Sequence, residues 1–304
     1  MQINIEKLRE LPEFLKERIK GQNRAMNVVA EVVQQAELGF VSKGEPKSNL
    51  IFFGPTGVGK TETCLCLSEF LYNDRNSMIR FDMSEFMNQD SATTFINRMQ
   101  VFTEDKQENG GIILFDEMEK AHPRILDFFL QILSAARITF QNHKTANLEN
   151  FYVFFTSNLG SELIADIKSE KFPFSAIEKA VLRRAENELR PEFFGRIKHK
   201  IVFNKLSPQI QREIAKLYLD KEINKWNLNG YTDDTLEQMI RKGIHVRYGA
   251  RPLKNTIELN VRSALKNKVI NGEDFVNGII VQKNENLEIE TKNNKNTKEE
   301  KHDL

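Results

Sequence analysis

The chain has 304 residues, of which 44 are basic and 43 acidic, and its formal net charge at pH 7 is +1. This length can bury a large core and predicts two domains, whereas the balanced charge provides no global electrostatic field and argues against a nucleic-acid motor. No run approaches the roughly 18 apolar residues of a membrane span, so we expect no membrane insertion.

Two helices are predicted at the start of the chain. Residues 1–20 form a charged helical lead-in without the apolar segment of a secretory signal. A second helix begins near Gln22 and ends at Gly39. Its apolar residues recur at helical spacing: Met26, Val29, Val33 and Ala36.

A predicted strand over residues 49–53 runs directly into a phosphate-binding loop. Its residues are Gly54, Pro55, Thr56, Gly57, Val58, Gly59, Lys60 and Thr61. The glycines let backbone N–H groups close around phosphate oxygens, and the helix that follows presents its positive N-terminal end to the same charge. Lys60 is then expected to contact the β- and γ-phosphates, and the Thr61 hydroxyl to bind Mg²⁺.

The only two cysteines, Cys64 and Cys66, are two residues apart on the helix that follows this loop. They therefore face different sides and cannot pair with each other. We interpret them as packing residues of a reducing compartment and expect a cytoplasmic protein.

Two further strands are predicted over residues 78–82 and 111–117, and the second ends in adjacent carboxylates. Downstream of a phosphate-binding loop this is the Walker B pattern. Asp116 is expected to orient Mg²⁺ and its water ligands, and Glu117 to polarise the water that attacks the γ-phosphate.

A helix packed against the sheet is predicted from the apolar residues between Ile125 and Leu133. The next strand, residues 151–155, is followed by Asn158. An amide at the end of a central strand suits holding the attacking water, and capping of the following turn is the alternative interpretation.

A helix over residues 176–189 and a strand over 200–203 complete five strands with helices between them. This pattern predicts a doubly wound α/β domain with helices on both faces of a parallel sheet, over residues 1–205. Residues 206–290 predict a small, mainly helical domain that ends in a strand pair. The polar tail, residues 291–304, is expected to be disordered.

Taken together, these segments resemble the AAA+ ATPases, and most closely the second ATPase module of the Clp-type disaggregases. The resemblance covers about residues 10–290. It is carried by GPTGVGKTE at 54–62, FDMSEFM at 81–87, LFDEMEKAHP at 114–123, TSNLGS at 156–161, RPEFFGR at 190–196 and YGARPL at 248–253.

The resemblance implies further roles for single residues. Ile19, Gly21 and Gln22 would flank the adenine, Asn158 would be sensor 1 and Arg251 sensor 2. Arg196 would be the arginine finger that reaches the γ-phosphate held by the neighbouring subunit. A planar cation suits the charge that builds on the γ-phosphoryl oxygens, and one supplied by a neighbour makes hydrolysis depend on assembly.

The chain departs from the family in its pore segments. Between Ser84 and Asp116 there is no Gly-aromatic-Val-Gly loop, the loop that grips polypeptide in Clp unfoldases. Phe95 and Phe102 are substitute gripping residues or, alternatively, core residues. The second pore segment is altered as well, to Gln141-Asn142-His143-Lys144-Thr145. No aliphatic-Gly-Phe/Leu tripeptide lies between Asn158 and Arg196, so a ClpP-like peptidase partner is not expected.

The sequence thus predicts an ATP hydrolase that uses ATP and Mg²⁺, assembles into a homo-oligomeric ring, expected to be a hexamer, and remodels a protein partner without conventional pore-loop threading. The alternative is an ATP-dependent switch or scaffold subunit of a larger bacterial machine, such as a secretion or conjugation apparatus, with slow turnover. A nucleic-acid helicase or clamp loader ranks third because of the charge balance.

Overall fold

The computed structural model describes residues 5–88, 90–140, 144–166, 171–245 and 248–291. The chain divides into two compact units, Met1–Lys205 and Leu206–Leu304. The predicted disordered tail, apart from residue 291, lies outside the described residues.

The first unit is built on a five-stranded parallel sheet. Its strands are β1 (Ser48–Phe53), β2 (Met78–Asp82), β3 (Ile112–Asp116), β6 (Tyr152–Ser157) and β7 (His199–Val202). They lie in the order β2-β3-β6-β1-β7, and every neighbouring pair is parallel. All residues of β1, β3 and β6 are buried, which is why these segments are continuous apolar runs in the sequence.

Helices cover this sheet. They are α1 (Ile5–Arg18), α2 (Asn23–Glu37), α3 (Lys60–Tyr72), α4 (Ser91–Asp105), α5 (Pro123–Ala135), α6 (Ser161–Ala165), α7 (Phe174–Glu188) and α8 (Pro191–Arg196). The prediction of a parallel α/β sheet with helices is confirmed. A short antiparallel hairpin, β4 (Arg137–Thr139) with β5 (Thr145–Asn147), was not predicted, because each strand buries a single residue and leaves little periodic signal.

The second unit contains three helices and a small sheet. The helices are α9 (Pro208–Lys225), α10 (Asp233–Gly243) and α11 (Arg251–Ile270). The strands are β8 (Gly230–Tyr231), β9 (Ile279–Lys283) and β10 (Asn286–Glu290), in the order β10-β9-β8. The predicted terminal strand pair is β9 with β10, and β8 adds to it in parallel.

Within the described parts of the chain, no helix combines the length and apolarity that crossing a bilayer would require.

The parallel sheet decides where the site lies. β3, β6 and β1 are neighbours, and their carboxyl ends reach the same edge, with Phe53 opposite Ser157 and Phe115 opposite Phe155. Residues that follow these three strands are therefore brought together at one crevice, as is usual in open α/β sheets.

Candidate nucleotide site

The loop between β1 and α3 has a backbone that only glycine adopts readily. The φ angles of Gly54, Gly57 and Gly59 are 142°, 79° and 109°. A Cβ atom on Gly54 would lie 2.8 Å from the carbonyl oxygen of Phe203. The loop thus approaches Phe203 closely and leads directly into the N-terminus of α3, and its remaining predicted members, Pro55, Thr56 and Val58, lie between these glycines.

Lys60, the first residue of α3, points back into this loop. Its Nζ donates to the carbonyl oxygens of Gly54 and Pro55, the latter at 3.0 Å, and to Asn158 Oδ1, also at 3.0 Å. Burial lowers the pKa of Lys60 to about 8, although the carboxylates of Asp116, Glu119 and Glu117 oppose this shift. Because the oxygens that hold this buried ammonium are uncharged, Lys60 is suited to bind an anion.

Asp116 ends β3 and is held by three groups. Its Oδ2 accepts from Thr61 Oγ1 at 3.3 Å and pairs with the Arg80 guanidinium at 2.7 Å, while its Oδ1 accepts from the hydroxyl of Thr156. A hydroxyl and a carboxylate this close are the hard oxygen ligands that Mg²⁺ prefers. Thr61 and Asp116 therefore fit the predicted metal site.

Glu117 has an unusual backbone for its type, with φ at 55°. Its N–H donates to Thr156 Oγ1 at 3.0 Å, so one hydroxyl fixes both predicted carboxylates. Its side chain accepts from Asn158 Nδ2 at 3.1 Å and pairs with Lys120. Non-glycine residues in left-handed conformations cluster at functional sites, where the surrounding structure holds them.

Asn158 follows β6 and joins Lys60 to Glu117 through its two amide atoms. Its backbone N–H donates to Glu119 Oε1 at 3.1 Å. In the following turn, the N–H of Leu159 donates a hydrogen bond to Ser157 Oγ. The Asn158 side chain is therefore directed at Lys60 and Glu117, and among the described residues it makes no hydrogen bond to the following turn.

The predicted adenine-side residues lie beside the loop. The Gln22 amide donates to Asn204 O and accepts from Asn204 N, both at 2.9 Å. Ile19 is buried, with its Cγ2 atom 3.1 Å from where a Cβ of Gly59 would stand. Gly21 has a φ of 76° and turns the chain between α1 and α2. The structure thus places all three beside the loop, and the adenine contact stays a prediction.

The two predicted arginines are placed differently. Arg196, the last residue of α8, is exposed and bonds only to α5 among the described residues, donating to Leu130 O at 3.1 Å and to the Ser134 hydroxyl. Arg251 is the first residue of α11 in the second unit and is exposed. Their roles as finger and sensor stay predictions.

The candidate gripping residues have a clear position. Phe95 is fully buried, with its ring centroid 5.0 Å from that of Phe81. Phe102 is partly buried and packs against the same core. Both are core residues, and neither presents a ring for gripping polypeptide. In the second pore segment, residues 141–143 lie outside the described residues.

Sequence reasoning missed three members of the site: Arg80, Thr156 and Lys120. Arg80 lies on β2, the neighbour of β3, and a charged residue in the middle of a strand was the available signal. Thr156 is fully buried in β6 and was visible only as part of the Thr-Ser-Asn segment. Lys120 is one 3₁₀ turn beyond Glu117.

Both units of the chain match families of known proteins. The family described as AAA domain (Cdc48 subfamily) matches residues 45–200. The family described as the C-terminal, D2-small domain of ClpB protein matches residues 206–281.

Among curated proteins, the chaperone protein ClpB of Aquifex aeolicus (strain VF5) is 34% identical over 294 residues, covering 88% of this chain and 29% of that protein. ClpC, the ATP-binding subunit of the ATP-dependent Clp protease of Staphylococcus aureus (strain USA300), is 32% identical over 291 residues, covering 89% of this chain and 36% of ClpC. The chain therefore spans about a third of the length of these relatives.

Two solved structures of Hsp104 resemble this chain. The S. cerevisiae Hsp104–ADP complex matches with a TM-score of 0.82 and 28% identity, over 92% of this chain and 51% of the Hsp104 chain. A closed state of Hsp104 with ATPγS and FITC casein matches with a TM-score of 0.78 and 27% identity, over 94% and 52% of the two chains.

Proposed function

We propose a function from one premise: the chain belongs to the AAA domain (Cdc48 subfamily) family. It is an AAA+ ATPase module of the Clp type, homologous to the second ATPase modules of ClpB and ClpC. We infer that it hydrolyses ATP in an oligomeric ring and uses the cycle to remodel a protein partner or assembly. The observation that carries this proposal is the hydrogen-bonded series Lys60–Asn158–Glu117 at the carboxyl edge of the sheet.

The first step is binding of the triphosphate. The glycine loop and the N-terminus of α3 offer backbone N–H groups, and Lys60 exchanges its carbonyl partners for phosphate oxygens. Thr61 and Asp116 would hold Mg²⁺, which supplies charge neutralisation on the β- and γ-phosphates. Ile19, Gly21 and Gln22 would border the base, and Arg251 of the second unit would contact the phosphates.

The second step is attack by water on the γ-phosphate. Glu117 accepts the proton of the attacking water as general base, and Asn158, hydrogen-bonded to Glu117 at 3.1 Å, orients that water. The bond from the γ-phosphorus to the bridging oxygen breaks, giving ADP and inorganic phosphate. Arg196 of a neighbouring copy stabilises the charge on the phosphoryl oxygens.

A protein partner and a ring fit this family. One Hsp104 match contains casein, and ClpB is named a chaperone, so we extend a protein substrate and a hexameric ring to this chain. We propose that force is not delivered by a conventional pore loop, since the Gly-aromatic-Val-Gly sequence is missing and Phe95 is buried. We do not propose a ClpP-like peptidase, a nucleic acid or a membrane as a partner. We propose a cytoplasmic location.

A second candidate is a nucleotide-dependent switch or scaffold in a larger machine, with slow turnover. The altered pore segments favour it. Against it stands the Glu117–Asn158 contact, since a switch that turns over slowly has little use for an oriented general base.

The test is steady-state ATP hydrolysis per subunit over a range of protein concentrations, for the unchanged chain and for Arg196→Ala. Activity that rises with concentration and collapses in Arg196→Ala supports the ring. Arg183→Ala, an exposed arginine on α7, serves as the matched control and should behave as the unchanged chain. Negligible activity at every concentration, with ATP still bound, would contradict hydrolysis and favour the switch.

A further inference from the structure

A second polar cleft lies on the first unit, where the end of α5, the hairpin β4–β5 and the end of α8 meet. Its volume is about 490 Å³. The polar residues that line it are Gln131, Ser134, Arg137, Thr139 and Arg196, and the other lining residues are apolar. We call it the arginine cleft. It contains two guanidinium groups and no carboxylate, so an anion is the ligand its charge suits.

Arg196 is anchored in the arginine cleft through only part of its guanidinium. Nη1 makes both of its bonds to α5, to Leu130 O and to the Ser134 hydroxyl. Nη2 and Nε have no hydrogen-bond partner among the described residues. These two nitrogens form the edge of the guanidinium that binds phosphate in a bidentate manner.

Arg137 enters the arginine cleft from a strained turn. Ala136, the residue that follows α5, has a φ of 42° and is buried, and its carbonyl oxygen accepts from Leu148 N at 2.6 Å. The hairpin pairs Arg137 with Asn147. The backbone is therefore fixed, while the guanidinium makes no hydrogen bond or ion pair with any residue that the structure describes.

Among the described residues, neither guanidinium contacts the nucleotide site of its own chain: that of Arg196 bonds only to α5, and that of Arg137 makes no hydrogen bond or ion pair. The two like charges therefore share one cleft with no counter-ion among the residues that the structure describes. A phosphate group brought by a second copy of the chain would neutralise both.

We propose that the arginine cleft receives the phosphoryl oxygens of the nucleotide held by the next copy of this chain, and that Arg137 is a second cation acting on that nucleotide beside Arg196. This inference rests on the proposed ring. It adds to that ring a contact from the hairpin β4–β5, so that each interface supplies two guanidinium groups from two different elements.

The first test is the turnover number of Arg137→Gln at a concentration where the unchanged chain is assembled. Removal of one preorganised cation should lower the turnover number by about a hundredfold to a thousandfold. Arg137→Lys, which keeps the charge but not the planar fork, should lie between the two. Arg183→Gln is the matched control and should keep full activity.

The second test asks whether Arg137 acts on a neighbouring copy. Glu117→Gln and Arg137→Gln are each measured alone and then mixed. Mixed assemblies contain sites where an intact Glu117 faces an intact arginine cleft, so activity several-fold above the sum of the two variants is expected. A purely structural role of Arg137 would give no such recovery.

The outcomes separate the two proposals. Full activity of Arg137→Gln, or no recovery on mixing, overturns the role of Arg137, while the ring stands if Arg196→Ala still collapses. Activity that does not depend on concentration and survives Arg196→Ala overturns both.

Discussion

The nucleotide site and the arginine cleft differ in whether their charged side chains have partners. In the nucleotide site of the first unit, charged groups meet partners within the chain: Arg80 pairs with Asp116, Lys120 with Glu117, and Lys60 bonds to carbonyl groups and Asn158. In the arginine cleft two guanidinium groups lie without an acid among the described lining residues. The contacts of the first site lie within one chain, whereas our proposal assigns to the second a phosphate held by another copy of the chain. On that proposal, chemistry that needs both regions depends on assembly.

Of the substitutions in the nucleotide site, Glu117→Gln should have the largest effect on ATP hydrolysis. Loss of the general base should lower ATP hydrolysis by about 10²–10⁴-fold, while nucleotide binding persists because Lys60 and the loop are unchanged. Hydrolysis and binding of a fluorescent ATP analogue are measured side by side. Glu108→Gln, an exposed residue outside the site, is the control, and near-normal hydrolysis in Glu117→Gln would contradict the assignment.

Thr156→Val tests how far one buried hydroxyl organises the nucleotide site. The variant leaves Asp116 and the N–H of Glu117 without the hydroxyl they share. Unfolding free energy should fall by about 1–3 kcal/mol, the cost of an unsatisfied buried group, and turnover should fall with it. Urea denaturation gives the first quantity. Thr156→Ser keeps the hydroxyl and should restore most of both, and equal losses in the two variants would point to packing instead.

A pH series probes the lysine of the nucleotide site. The pKa of Lys60 is lowered to about 8 by burial. Phosphate raises this pKa on binding, so above pH 8 binding takes up a proton, and the affinity should fall by up to about tenfold per pH unit. Below that pH the affinity should be flat. Titration calorimetry in buffers of different ionisation enthalpy measures the proton uptake, and none at a pH well above 8 would count against a buried, neutral Lys60.

The smallest effect concerns the helix that carries Lys60 and Thr61. Cys64 and Cys66 are free and buried on α3, and burial raises the pKa of both thiols, that of Cys66 to about 12. The thiolate is the reactive form, so neither should be alkylated by iodoacetamide in the native protein at neutral pH. Mass spectrometry should find two additions only after denaturation. Rapid native labelling would mean that the two thiols are not buried on a stably folded α3.

The sequence predicted the sheet and the phosphate loop because both rest on local patterns. The strands β1, β3 and β6 are unbroken apolar runs, and the glycine spacing and Lys60 lie within a few residues of one another. These local patterns were sufficient to predict the fold class, because parallel strands with intervening helices have few possible arrangements.

The partners of the carboxylates could not be predicted, because they depend on which strands are neighbours. Arg80 meets Asp116 only since β2 pairs with β3 in a register that sets Asp82 opposite Asp116. Thr156 begins the TSNLGS segment, but nothing in that segment indicates that its hydroxyl reaches Asp116 and Glu117, and Arg137 belongs to no motif. Thr156 is one of several apolar-flanked residues of β6, and Arg137 begins a strand of three residues.

The amide pair between Gln22 and Asn204 has a mechanical consequence. It joins two points 182 residues apart by two opposed hydrogen bonds, and Gln22 Nε2 is also 3.5 Å from the carbonyl oxygen of Val58 in the phosphate loop. Displacement of the chain at Asn204, just before the second unit begins, must therefore break these bonds or move Gln22 with it. Because Gln22 also lies against Val58, it provides a physical contact between this connection and the predicted phosphate-binding loop.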